Sequence, residues 1–131
     1  MEIKIKAEEI VMSSNPGEDL TQKRCVPCEG GLAAFSKTQA QEYLKSLAGW
    51  VLRDDAKVIQ KEFVMKNFTE AVAFIQRMAE VAEREGHHPD IHLTGYRKLV
   101  VELSTHAIKG LSENDFILAA KIEHLPKELK A

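Results

Sequence analysis

Between Asn67 and Ala82 the apolar residues Phe68, Ala71, Val72, Ile75, Met78, Ala79 and Ala82 recur at intervals of three and four. That spacing lines one face of an α-helix, a stripe suited to lie on a sheet. Asn67 with Glu70 three residues on gives the helix a capping-box start. Gly86 and Pro89 fix its end, because glycine accepts the left-handed turn past a helix and proline pushes its predecessor out of helical geometry. Two further boxes open shorter helices. Ser36 with Gln39 precedes Ala40, Tyr43, Leu44 and Leu47, closed by Gly49; Ser112 with Asp115 precedes Phe116, Ala119, Ala120 and Ile122. Strand-like pieces fill the gaps. Trp50–Arg53 and Val58–Val64 flank a turn at 54–57, and Asp90–Thr94 and Leu99–Thr105 flank another at 95–98. The pattern predicts an α+β fold, a four-stranded mostly antiparallel sheet with three helices in the order α-β-β-α-β-β-α.

Residues 31–131 are expected to form a single domain, and residues 1–30 an N-terminal tail or extension. In that extension Ile3 and Ile5 alternate with lysines and suit a short edge strand, which Ser13-Ser14-Asn15-Pro16-Gly17 interrupts. Composition adds mostly exclusions. A formal charge of −2 and a pI near 6.2 provide no electrostatic footprint for nucleic acid or an anionic membrane. No apolar run reaches the ~18 residues of a spanning helix, and the N-terminus lacks a signal or transit pattern. A cytoplasmic location is the expectation. Cys25-Val26-Pro27-Cys28 has no second ligand pair at matching spacing for zinc, and no thioredoxin-like strand–helix context. Both cysteines read as ordinary thiols near the domain edge.

Candidate chemistry gathers at Glu83 to Asp90 and at Ser104-Thr105-His106, which hold three of the five histidines. If the last helical turn persists, Glu83 and His87 lie four apart and share a face. Helix carbonyls and a carboxylate favour the imidazolium while burial opposes it, so such a histidine can exchange protons near neutral pH. If the hairpin turn centres near Arg97, position 88 lies opposite position 106, and His106 meets the histidine pair. The competing readings are a solvated helix cap with a surface histidine, and a zinc site. Adjacent histidines are awkward as ligands, and no helical His-x-x-x-His occurs.

These residues, with Gly49-Trp50 and Gly110-Leu111-Ser112-Glu113-Asn114-Asp115, resemble the pterin-4a-carbinolamine dehydratase family, over roughly Leu44 to Glu123. The resemblance implies dehydration of a 4a-hydroxytetrahydropterin to quinonoid dihydropterin in tetrahydropterin recycling, without metal or organic cofactor. It implies His87 and His106 as the acid–base pair and Glu83 as the carboxylate that holds a histidine in its productive state. His88, with Trp50, Pro89 and Thr105, is expected to bind and orient the ring; Trp50 equally suits a core position. Asp115 also falls on a family motif position, but its capping place already accounts for it. By resemblance the chain is a homodimer or homotetramer acting on a small-molecule pterin. The alternative is an interaction or dimerisation module on the same fold.

Overall fold

The computed structural model describes residues 19–26 and 33–131. The expected edge strand at Ile3 and Ile5, the break at Ser13–Gly17, and Cys28 lie outside the described residues. The elements are α1 (Lys37–Leu44), β1 (Val51–Arg53), β2 (Val58–Val64), α2 (Phe68–Glu85), β3 (Asp90–Thr94), β4 (Lys98–Leu103) and α3 (Glu113–Glu123). Their order is the one the sequence pattern predicts, and every pairing in the sheet is antiparallel, in the order β1-β2-β4-β3.

Each helix starts where its capping residues place it. Ser36 Oγ accepts the Gln39 N–H at 3.1 Å while Gln39 Oε1 accepts that of Ser36 at 2.9 Å. Asn67 Oδ1 accepts the Glu70 N–H at 2.8 Å. Helix α1 stops at Leu44, before the expected end. Turns carry the chain on to Leu47, and the left-handed bend falls at Gly49, φ +89°. A Cβ there would lie 2.8 Å from Lys61 Cε, so glycine serves both the bend and the close approach.

The helical stripe and the sheet form one core. Ala71, Phe74, Met78 and Val81 of α2 are buried with Ile59 and Phe63 of β2 and Leu99, Val101 and Leu103 of β4. Helix α3 is buried from Asn114 to Ala120 and at Ile122, more than its expected inward residues. The reason is cover on its other side. Tyr43 and Phe35 pack on Phe116 with ring centroids 5.0 and 5.8 Å away. Leu20, in a 3-10 turn ahead of the family-like region, is 3% exposed within the same core. Residues 19–26 of the N-terminal extension therefore pack on the domain.

Candidate active site

Helix α2 ends at Glu85, and Gly86 turns left-handed with φ +67° and ψ +26°, its N–H bonded back to Ala82 O. The His87 N–H also reaches Ala82 O, at 3.3 Å. This reversal takes His87 off the helical face that Glu83 occupies. The Glu83–His87 pairing expected from four-residue spacing is replaced by Glu83 with His88, Oε2 to Nε2 at 2.7 Å. That pair is exposed, 76% and 59% on the two side chains, so solvent weakens it.

His87 instead meets α3. Its Nε2 lies 2.6 Å from Asp115 Oδ1, with side chains 12% and 0% exposed. The other oxygen of Asp115 is occupied twice over. Oδ2 accepts the Thr105 hydroxyl at 2.7 Å and the Ser112 N–H at 3.0 Å. Thr105 Oγ1 lies also 2.8 Å from Ser112 Oγ. An ionised carboxylate only accepts, so His87 donates Nε2–H and its Nδ1 is the nitrogen left to take a proton. The capping role read for Asp115 is present, and the same carboxylate orients a histidine.

The β3–β4 hairpin positions the third histidine differently from the expectation. Its register pairs Thr94 with Lys98 and Asp90 with Glu102, centred on Tyr96 rather than Arg97. Gly95 and Tyr96 both take positive φ, 54° and 58°, which tightens the turn by one position. Continued outward, the register sets position 88 against Ser104. The strand ends at Leu103, Thr105 forms a bridge to Gly110, and His106 opens a 3-10 turn. The turn still delivers His106 to the pair. A cavity of about 260 Å³ is lined by His87, His88 and His106 with Gly86, Ser104, Thr105, Ala107, Asn114 and Val26.

The remaining expected site residues divide. Thr105 lines the cavity, but it is 4% exposed and its hydroxyl is spent on Asp115. Trp50 is 4% exposed, edge-on to Phe63 at 6.4 Å, with its indole N–H donating to Glu123 Oε2 at 2.9 Å. It is a core residue here, and neither it nor Pro89 nor Glu83 is among the residues lining the histidine cavity. Val26 and Asn114 were not expected at the site. Only the three-dimensional fold brings the extension to this rim.

Residues 33–125 match the family model described as pterin 4 alpha carbinolamine dehydratase. The chain belongs to that family. A Halorhodospira halophila protein provisionally named pterin-4-alpha-carbinolamine dehydratase is 50% identical over 106 residues, 81% of this chain and 96% of its own. Arabidopsis thaliana pterin-4-alpha-carbinolamine dehydratase 2, mitochondrial, is 48% identical over 84% of this chain and 60% of that longer relative. Among solved structures, the transcriptional coactivator/pterin dehydratase from Brucella melitensis superimposes with a TM-score of 0.65 at 31% identity, over 69% of this chain and 95% of that one. The Asp115 carboxylate and the three histidines thus sit within the family-matched region, whereas Val26 precedes it.

Proposed function

We propose that this member of the family dehydrates 4a-hydroxytetrahydropterin to quinonoid dihydropterin in tetrahydropterin recycling, with the histidine cavity as its site. The observation that carries the reading is the His87–Asp115 pair at the cavity wall, 2.6 Å apart with Asp115 fully buried. Loss of water from C4a needs a proton for the departing hydroxyl and removal of the proton on N5, leaving a C4a–N5 double bond. One imidazole supplies the first proton while the other takes the second; two histidines at one cavity support such an exchange. With substrate of opposite configuration at C4a, His87 and His106 trade roles. Asp115 keeps Nε2 protonated and steadies the imidazolium when Nδ1 gains a proton. His88, braced by Glu83, binds and orients the ring.

The same reading includes a homodimer or homotetramer, supported by the family resemblance, and a cytoplasmic location, which rests on the sequence pattern alone. No helix among the described residues is long and apolar enough to cross a membrane.

Stopped-flow decay of a 4a-carbinolamine, with and without protein, tests the activity. His87→Ala or His106→Ala should slow turnover of at least one stereoisomer by about 10²-fold, the scale of a general acid–base group. Near-wild-type rates for both variants on both stereoisomers would sink the assignment.

A further inference from the structure

The histidine cavity has a wall that comes from outside the family-matched region. Val26 lines it from the N-terminal extension, while the match begins at residue 33. What holds Val26 there is unusual for a surface segment. The Asn114 side chain, on a residue 4% exposed, takes both backbone groups of Val26: Oδ1 accepts its N–H at 3.0 Å and Nδ2 donates to its carbonyl at 2.5 Å. One residue earlier, the Cys25 N–H donates to Glu85 Oε1 at 2.8 Å, and Lys121 Nζ holds Oε2 of the same carboxylate at 2.8 Å. Lys23 Nζ reaches Glu113 Oε2 at 2.7 Å. The segment 23–26 is therefore strapped to the end of α2 and the start of α3. Those are the two elements that supply His87 and Asp115.

Val26 as a residue is 63% exposed. Asn114 fixes the Val26 backbone from a buried position, and the residue lines the cavity while staying exposed. Asn114 is next in sequence to Asp115, so one turn of helix carries the histidine's carboxylate and the clip for the wall.

We propose that Val26 is a specificity-determining residue that packs on bound pterin at the cavity rim, with Asn114 as the positioning residue that holds it there. The proposal rests on the histidine cavity being the pterin site. Its mark is an effect on binding rather than on the chemical step, since Val26 has no group that can move a proton.

Val26→Ala should raise KM for the 4a-carbinolamine about 5-fold, the scale for losing about 40 Å² of apolar contact, with kcat within about 2-fold. Val26→Ile should restore the wild-type KM. Asn114→Ala should raise KM by a similar factor, and adding Val26→Ala to it should bring little more, because both act through one wall. Calorimetry with 7,8-dihydrobiopterin gives a readout independent of turnover, and its Kd should rise about 5-fold in Val26→Ala. An unchanged Kd in Val26→Ala at unchanged Tm overturns the proposal even if the wild type dehydrates normally. So does a fall in kcat equal to the fall in kcat/KM. A wild type that binds the dihydropterin, shows the Kd shift in Val26→Ala and lacks turnover would instead overturn the dehydratase reading and leave this one standing.

Discussion

Replacing Asp115 with Asn is the sharpest perturbation of the site, because it keeps shape and volume and changes only what one atom can do. Oδ2 accepts two donors, the Thr105 hydroxyl and the Ser112 N–H, while Oδ1 faces one, the His87 Nε2–H. An amide has one accepting oxygen, and the two donors claim it. The NH2 group must then face His87. A donor opposed to a donor is resolved by moving the imidazole proton to Nδ1, so Nε2 accepts from the amide and Nδ1 can no longer take a proton. The base is lost by tautomer, not by displacement. A histidine held in the wrong tautomer by a carboxylate-to-amide change costs up to ~10⁴ in the serine-protease triad, and a single acid–base group is worth ~10²–10⁴. With His106 still able to serve, the expected fall in kcat is about 10²-fold for the stereoisomer that depends on His87 as base. The folded state should lose about 1 kcal/mol, the difference between hydrogen bonds to a charged and to a neutral acceptor, read from urea unfolding. Imidazole nitrogen shifts should report Nε2–H in the wild type and Nδ1–H in the variant. A variant that keeps kcat within about 3-fold on both stereoisomers, or whose His87 still carries its proton on Nε2, refutes this account.

Four more outcomes follow from single positions. His88→Ala should act mainly on KM, while Glu83→Gln, which touches only an exposed pair, should change stability by less than about 1 kcal/mol in denaturant titrations. Gly86→Ala should cost about 1 kcal/mol in urea unfolding through backbone strain alone, since φ is +67° and no atom lies within 4 Å of the new Cβ; no loss would refute a strained cap. Burial by itself would raise the Glu85 carboxyl, but the Lys121 ammonium and the Cys25 amide outweigh it and hold the group below its ordinary 4.5. A lowered folded pKa means Glu85 stabilises fully above its ordinary value and loses its contribution as pH falls through the folded one, so Glu85→Gln should flatten the urea-midpoint profile on the acid side of that value.

The fold was legible because each element carried its own signal. Helix α2 announced itself by the Phe68–Ala82 stripe and the Asn67 cap, and both hairpins by their flanking alternation. The parts that were not legible depend on contacts distant in sequence. Nothing in Asp19–Val26 has a period, and its placement rests on Asn114 and Glu85, 88 and 60 residues away. The extent of burial along α3 was hidden for the same reason, since the cover comes from Leu20, Phe35 and Tyr43. The hairpin register was displaced by a local cause instead. Tyr96 takes a positive φ that its residue type does not advertise, and the turn centre moves with it.

Asp115 shows why a correct local rule can conceal a functional residue. Ser112-x-x-Asp115 satisfies a capping box, and that local account suffices for the carboxylate even though it also falls on a family motif position. Yet the cap is what makes it a partner for His87. A free carboxylate on a helix would rotate among rotamers; this one has Oδ2 pinned by Ser112 N–H and the Thr105 hydroxyl, so Oδ1 is aimed before substrate arrives. The helix N-terminus adds a field that favours the negative charge the pair needs. Spacing along α2 nominated Glu83, the only carboxylate that a helical wheel places beside His87. The left-handed Gly86 breaks that wheel one residue before it matters. A cap on a different helix, 28 residues on, supplies the acceptor in its place. Capping α3 and orienting His87 are therefore not alternatives for Asp115, and a substitution that keeps the Ser112 and Thr105 contacts while changing the His87 tautomer is the one that separates them.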